Sequence, residues 1–529
     1  HTSTLNASGR HPRPAHPTQA LPASTAPVLA EPADCLFAVD LGSSSLRGAL
    51  IDKSGRVLAR DTLPLVVSAD SQGRSEADPQ DWWRGLERLA ASLSAQSSTA
   101  WRHVAAIAIS AFTRSQVVVA PDGQVTHAAL MWRDTRAARI LPSLIAHCPS
   151  SHPETKLLSA FHPLARLAWL AEHQPSSLPP GAKVLEPKDF LNFQLTGVMC
   201  SDPISSARLA ASAQDLDGMS LFEAAGLPVS LLPELRSPLA VMGKVRADLE
   251  GDMRSLAGAS VVNMAHYTWA SVVGLGAMRT GYAYNLSGTT EVLGVIDTQP
   301  FTAPGLLTVD WSGQCWQLGG PSQSGADAVL WLSQLFGGSA SRPQDAGARL
   351  DALLSETRQP EPLLFLPYLQ GERVPWWDPD LRAAFVGLNR RHGQVDLAWA
   401  VIEGIACLNR TVLSRAELAR GSRVNEIRLG GGGAASARWR QAKADILNRD
   451  IVCPTAGDEG LIGAAIAGWT ALGEFADLAH AQQQLVPQGT RICPNPEAVA
   501  QYDKLYDLFA RCEESLIGIS HELAGWGVR

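Results

Sequence analysis

The sequence predicts an α/β protein of two related lobes facing a cleft, and three observations carry that prediction. At 529 residues the chain is too long for one compact core and suits two domains. Apolar runs that end in Gly-rich or Gly/Ser turns alternate with stretches of helical spacing, the pattern of a sheet layered with helices. A strand–turn–strand unit of the same kind occurs once in each half.

The elements follow in order. Leu36-Phe37-Ala38-Val39 is an apolar run ending at Asp40 and a Gly/Ser turn, and a second run spans Arg47 to Ile51. Lys53 to Arg56 then punctuates the chain before Val57-Leu58-Ala59. This predicts two strands joined by a short turn, with a third behind them. The spacing of Trp82, Leu86, Leu89 and Leu93 predicts a helix over 81–93, with Asp78-Pro79 as its start signal. Val104 to Ile109 reads as a buried strand. Late in the chain, Tyr282 to Leu286 leads into Ser287-Gly288-Thr289-Thr290, and Glu426 to Leu429 leads into Gly430 to Gly433. Helical patterns at 396–413 and 438–447 flank the second of these. The division expected is a disordered tail over 1–34, one domain over 35–280 and another over 281–529, with the break near Arg279 to Tyr282. The tail is dominated by Pro, Ala, Ser, Thr and His and has no apolar core like that of a signal peptide.

Composition narrows the function classes. Hydrophobic residues at 46 % and charged residues at 18 % are ordinary for a soluble globular protein. The net charge of −7 is spread along the chain without a Lys/Arg block, which argues against a nucleic-acid or anionic-membrane surface. No run of 18 or more apolar residues is present, and the most apolar stretch, Gly460 to Gly473, reads as a closely packed core helix. Eight scattered cysteines contain no Cys-x-x-Cys pair, so they read as buried free thiols of a cytoplasmic protein rather than a zinc site or redox dithiol.

Three turns can carry chemistry. Asp40-Leu41-Gly42-Ser43-Ser44-Ser45 can set backbone N–H groups and hydroxyls against phosphate oxygens, with Asp40 holding Mg²⁺ directly or through water. Alone, the same residues fit an ordinary hairpin turn with solvated serines. Ser287 to Thr290 is a second element of this kind. Four consecutive glycines at 430–433 are costly in chain entropy and mark a backbone that something flat or charged must approach. A flexible linker fits poorly between an apolar strand and a helix.

Together and in this order, the motifs resemble those of the FGGY carbohydrate kinases, a xylulokinase- and glycerol kinase-like branch of the actin/hexokinase-like ATPase superfamily. The resemblance runs from about Leu36 to Leu516. Further matching stretches are Trp132 to Arg136, Glu186 to Leu191 with Leu195-Thr196-Gly197, and Phe161 to Leu170, where Arg166 stands for the usual lysine. Leu366 to Arg373, Pro375 to Asp378, Ala384 to Glu403, Gly431 to Asp445 and Glu459 to Ala465 complete the set. The resemblance implies two actin-like (ribonuclease H-like) domains around an ATP cleft, with ATP and Mg²⁺ as donor and metal. It implies a sugar- or polyol-like acceptor on the N-terminal side, nucleotide on the C-terminal side, and room for a homodimer. Carried over position by position, Asp40, Gly42, Ser43, Ser44 and Arg47 match the first phosphate motif, with Asp40 the metal ligand. Gly288 and Thr289 match the second, and Gly431, Gly432 and Ser436 match the adenosine motif. The acceptor pocket would draw on Thr113, Arg114, Trp132, Asp134, Tyr267 and Trp269.

One position departs from the pattern. The family's catalytic Asp precedes two glycines by seven and nine residues, and counting back from Gly274 and Gly276 lands on Tyr267. No acidic residue lies between Asp252 and Glu291, so realignment does not restore one. Met264, Ala265 and His266 stand where glycines are usual, and Trp269 where a small residue is common, which predicts a narrower, more aromatic pocket. A base in phosphoryl transfer orients and deprotonates the acceptor, an effect of about 10²–10⁴-fold. A phenol with pKa near ~10 does not replace it at neutral pH. His266 could, because imidazole titrates near ~6.5, although it reads more readily as a core or surface histidine beside the real site. Three readings stay open: an active kinase with an altered acceptor, a pseudokinase that binds nucleotide or a sugar-like ligand, and a scaffold. Three Gly-rich turns argue against the scaffold.

Overall fold

The computed structural model describes residues 34–66, 73–311, 315–337, 343–455 and 457–526; all of the expected tail over 1–34 except Asp34 lies outside them. The N-terminal sheet contains β1 (Cys35–Leu41), β2 (Ser45–Asp52), β3 (Val57–Pro64), β4 (Val104–Ala111), β5 (Val241–Lys244) and β6 (Ser260–Val262). Their spatial order is β5-β6-β4-β1-β2-β3. Every residue of β1 is buried, and its alternation splits the core in two. Phe37, Val39 and Leu41 share one hydrophobic cluster with Leu86 and Leu89 of α1 (Pro79–Gln96). Leu36 and Ala38 belong to another, which includes Ala464 and Trp469 from the far end of the chain. A strand covered on both faces reads in sequence as an unbroken apolar run. Helix α1 starts as expected, with Asp78 Oδ1 accepting from Gln80 N at 2.9 Å and Pro79 in its first turn. Helices α2 (Pro163–His173) and α3 (Pro187–Thr196) follow in this half.

The second sheet contains β7 (Ala283–Ser287), β8 (Glu291–Asp297), β9 (Leu307–Trp311), β10 (Cys315–Pro321), β11 (Ile427–Gly430), β12 (Ile451–Cys453) and β13 (Thr490–Ile492). Their order is β9-β10-β8-β7-β11-β12-β13. The two sheets share one pairing scheme. β1 lies antiparallel to β2 and parallel to β4, which is parallel to β6. β7 lies antiparallel to β8 and parallel to β11, which is parallel to β12. The repeated strand–turn–strand unit of the sequence is the visible part of this duplication.

Two helices join the halves. α4 (Tyr267–Gly274) crosses α7 (Glu459–Ala471), where α5 (Gln394–Arg420) and α6 (Ala437–Leu447) come between them in the chain. At the crossing only glycine fits. A Cβ on Gly274 would lie 1.8 Å from the Glu459 carbonyl oxygen, and one on Gly463 would lie 1.7 Å from that of Ala270. α7 also covers β1, and its Trp469 Nε1 donates to Asp52 O at 3.0 Å. The apolar Gly460–Gly473 stretch is thus the packed helix that its composition predicts. By length and composition α5 could cross a membrane, but 78 % of its apolar window is buried inside the protein, as in a core helix. All eight cysteines are free.

Candidate active site in the cleft

Three turns far apart in the chain meet at the ends of β1, β7 and β11. Asp40, at 8 % exposure, is paired with Arg47 on β2. Arg47 Nη1 also donates to Gly457 O at 2.9 Å, and Arg60 Nη1 to Asp458 Oδ2 at 2.8 Å, so β2 and β3 clamp the approach to α7. The first turn of α7 lies on Asp40: a Cβ on Gly460 would sit 2.9 Å from Asp40 Oδ2. Glu459 beside it accepts from Gly431 N through Oε1 at 2.9 Å and from Thr455 Oγ1 through Oε2 at 2.8 Å. Gly431, at φ 86°, rests on Ser287, where a Cβ would come within 2.6 Å of the carbonyl oxygen. Gly433 also packs on Ser287 and Gly430 on Glu459, whereas Gly432 faces open space. Most of the four-glycine run is therefore required by the protein's own close packing, and only Gly432 is left to meet a ligand.

These residues fit a metal-bound polyphosphate. The amides of Ser43, Ser44 and Thr289 have no partner among the described residues, and the Ser287 hydroxyl is buried without one. Burial raises the Asp40 pKa, Arg47 counters it, and Glu459 raises it again. A divalent cation here would relieve that carboxylate repulsion. Among the described residues no three His, Cys, Asp or Glu side chains converge. Mg²⁺ would need only one or two carboxylates, of which Asp40 could be one, with water and phosphate completing its shell.

On the same edge of the N-terminal sheet, beyond the ends of β4 and β6, stands Tyr267, the first residue of α4 and 47 % exposed. Arg114 from the N-terminal half and Arg373 from the C-terminal half lie within electrostatic reach of its phenol and of each other. Arg114 holds φ 58° in the loop after β4. The buried Arg166 of α2 fixes that loop: its Nη2 donates to Arg114 O at 2.6 Å, Nε to Gln116 Oε1 at 2.9 Å and Nη1 to Trp132 O at 3.3 Å. Trp132 is 38 % exposed, with the Arg133 guanidinium 4.6 Å from its ring centroid. Glu186, buried at the start of α3, is pushed well above the usual carboxylate range by burial and then by Asp189.

A model of the FGGY family of carbohydrate kinases, N-terminal domain, matches residues 35–274, and the C-terminal domain of the same family matches 283–472. The chain belongs to the FGGY family of carbohydrate kinases. It is 28 % identical over 487 residues to the xylulose kinase of Escherichia coli (strain K12), covering 90 % of this chain and 98 % of that one. It is 23 % identical over 493 residues to the gluconokinase of Bacillus subtilis (strain 168), covering 90 % and 94 %. The crystal structure of a xyloylose kinase from Brucella ovis superposes with a TM-score of 0.79 at 28 % identity, covering 92 % of this chain and all of that one. The two sheets are accordingly the two actin-like domains of an FGGY kinase.

Within that family frame the candidate residues divide. Asp40, Gly42, Ser43, Ser44, Arg47, Gly288, Thr289, Gly431 and Gly432 gather at the β1, β7 and β11 ends. Thr113 and Arg114 lie in the loop after β4, beside the end of β1, where Arg166 ties Arg114 to Trp132, and Tyr267 opens α4 after the parallel strand β6. Four expectations need correction. Trp269 is fully buried among Ala265, Val272 and α7 residues, so it builds the core under the pocket and does not line it. Asp134 is 1 % exposed and committed to Arg136 and to Ser75 N at 2.9 Å, so it braces the loop rather than meeting an acceptor. The Ser436 hydroxyl caps α6 by accepting from Trp439 N at 3.3 Å and donates to Asp351 Oδ1 at 2.6 Å, so its proton is committed inside the protein and it has no donor left for adenosine. His266 is the N-cap of α4, and its Nδ1 accepts from Trp269 N at 3.2 Å. Burial, opposed by Asp202 and assisted by Arg114, lowers its pKa to about 4. Its lone pair is spent on the cap and the other nitrogen carries the proton, so His266 is not poised as a base. Arg373, Arg208 and the fork of Arg166 are site features that sequence reasoning missed. Arg373 stands inside a family-like stretch, but nothing local shows that it reaches across the cleft.

Proposed function

We propose that the protein is an ATP-dependent phosphotransferase acting on a hydroxyl of a sugar-like or polyol-like small molecule, with Tyr267 where the family places its carboxylate base. The observation that carries this reading is the meeting of Asp40, Ser287, Gly431 and Glu459 at one point, although they come from four separate stretches of the chain. Mg²⁺ bound there would neutralise charge on the phosphates of ATP. The exposed amides of Ser43, Ser44 and Thr289 would hold phosphate oxygens, and Arg47 would keep Asp40 ionised and oriented. Beyond the ends of β4 and β6, Tyr267 and Arg114 would orient the acceptor. The similarity to xylulose kinases and gluconokinases supports a carbohydrate acceptor.

A pseudokinase role is the second reading, favoured by the absence of a carboxylate at Tyr267 and by the commitment of His266 to a helix cap. ADP release from ATP-Mg²⁺ against a panel of sugars, polyols and sugar acids separates the two. Acceptor-dependent release supports the kinase. ADP binding by calorimetry with no release on any acceptor supports the pseudokinase.

A further inference from the structure

The second phosphate turn is shaped by a segment that carries none of the Gly-rich motifs. Gly288, Thr289 and Thr290 join β7 to β8, and a bond from Gly288 N to Thr290 O at 3.2 Å closes the turn. Its other carbonyls face the chain after β10. Gly288 O accepts from Ala326 N at 3.0 Å and Thr289 O from Asp327 N at 3.1 Å, the first two amides of the helix Ala326–Leu335. Beside them Glu291 N donates to Ser324 O and Ser322 N to Glu291 O, both at 2.8 Å. A Cβ on Gly325 would come within 2.7 Å of both Thr289 O and Thr290 Cα, so the two segments pack backbone on backbone. The Thr289 amide alone of this turn's exposed edge is then left for a phosphate oxygen, without a partner among the described residues.

The 322–327 segment is itself held by one buried carboxylate. Glu372, 3 % exposed, reaches it from a later stretch of the chain. Its Oε1 accepts from Gln323 N at 2.6 Å and from Arg373 N at 2.7 Å. Its Oε2 accepts from Ser322 Oγ at 2.7 Å and lies 3.1 Å from Ser324 Oγ, which also donates to Pro367 O at 2.8 Å. Ser322 Oγ in turn accepts from Ser324 N at 2.9 Å. Glu372 therefore bonds every residue between β10 and Gly325. Gln370 Nε2 donates to Asp327 Oδ2 at 2.8 Å and Arg373 Nη2 to Ser322 O at 2.7 Å, which braces the two ends. A carboxylate offers acceptor positions on both oxygens, whereas a carboxamide would turn donors toward the two hydroxyls. Hydrogen bonds to a charged acceptor are also roughly twice as strong as neutral ones.

Resting on the reading of the cleft as a nucleotide site, we propose that Glu372 is a positioning residue for phosphate binding. It holds Ser322, Gln323 and Ser324, and their backbone fixes the turn at 288–290. The adenosine end does not depend on it, because Gly431 rests on Ser287, which lies within β7 and is held by its pairing with β8.

Binding of ADP-Mg²⁺ by calorimetry and of labelled adenosine by equilibrium dialysis, beside hydrogen exchange of the unliganded full chain, tests this. Glu372→Ala should weaken ADP-Mg²⁺ binding by about 10–100-fold while adenosine affinity changes by less than about threefold. Glu372→Gln keeps the volume and one acceptor oxygen, so it should recover part of that loss and fall about 3–10-fold short of the parent. Both variants should speed amide exchange across 322–327 while the amides of β7 and β11 keep their protection. Glu417→Ala is the control for a carboxylate that serves stability alone. Glu417 pairs with Arg449 and accepts from Val424 N at 2.8 Å, and its loss should lower Tm with ADP affinity unchanged. Equal losses for ADP and adenosine, or unchanged exchange at 322–327, overturn the positioning role. If Glu372→Ala does not fold, Glu372→Gln and Ser324→Ala carry the same comparison, and Ser324→Ala should cost ADP alone about threefold or more. An unmodified chain that binds no ADP-Mg²⁺ removes the kinase reading and this inference together. ADP binding that every variant preserves removes the inference and leaves that reading.

Discussion

Gly463→Ala is expected to damage both stability and nucleotide binding. The added Cβ would lie 1.7 Å from the Ala270 carbonyl oxygen, and the obstacle is backbone rather than a flexible side chain. Non-bonded carbon contacts settle near ~3.5 Å, so α7 would have to retreat from α4 by more than about 1 Å. Overpacking of this kind costs about 1–3 kcal/mol, and the backbone obstacle puts this site at the upper end. At roughly 2–4 °C per kcal/mol for domains of this size, Tm should fall by about 5–10 °C. The same retreat carries Glu459 away from Gly431 N, now 2.9 Å distant, and Gly460 away from Asp40. ADP-Mg²⁺ affinity should therefore fall with stability, by about tenfold if one charge-assisted hydrogen bond is lost. Differential scanning calorimetry and ADP titration read the two effects. Gly432→Ala is the control, because open space lies in front of it and Tm should move by less than about 1 °C. If Gly463→Ala keeps the Tm and ADP affinity of the unmodified chain, the α4–α7 crossing does not position the cleft and the reasoning fails.

Asp40→Asn should abolish Mg²⁺-dependent turnover, by about 10²-fold or more, while the far-ultraviolet circular dichroism and Tm stay close to those of the parent. Arg166→Lys should raise KM for the acceptor by about tenfold, with ADP affinity unchanged, because an ammonium does not reproduce the fork that holds Arg114, Gln116 and Trp132. Glu513 on α8 (Pro496–Trp526) is buried against Tyr368 and Trp376, and burial pushes its pKa up to about 7 against the hydrogen bonds from those two side chains. Its folded pKa lies above the unfolded value near ~4.3, so the folded state binds the extra proton and stability falls as pH rises through this window. The loss approaches about 4 kcal/mol above pH 7 and vanishes below ~4.3. Urea titrations of the parent and Glu513→Gln at both ends of the window should show a flatter pH dependence in the variant.

The first strands, α1 and the duplicated unit were legible because β1 is buried on both faces and Asp78-Pro79 caps a helix in the usual way. The Gly-rich turns were legible as a set, although the sequence credited a ligand with close contacts that Ser287 and Glu459 make. The stretch around Tyr267 was the hardest to read. A histidine is an uncommon N-cap, so α4 had no ordinary start signal, and His266 looked free for chemistry. Trp269 looked like a pocket residue because α7, which comes much later in the chain and buries it, leaves no trace in the local pattern. Met264 shows the same limit: it is buried in the left-handed region at φ 64°, where the family usually has glycine and where a side chain costs about 1–2 kcal/mol. The pairing of Arg114 with Arg373 needed the fold, since one comes from each domain.

The central claim is phosphotransfer in this cleft, and the most direct measurement is transfer of the labelled γ-phosphate of ATP to an added carbohydrate, with and without Mg²⁺, by the unmodified chain and Asp40→Asn. The account predicts label in an acceptor-dependent product, lost when Mg²⁺ is withheld and lost in the variant. Label that never leaves ATP with any neutral or anionic acceptor, from a folded protein that also fails to bind ADP at millimolar concentration, would contradict it.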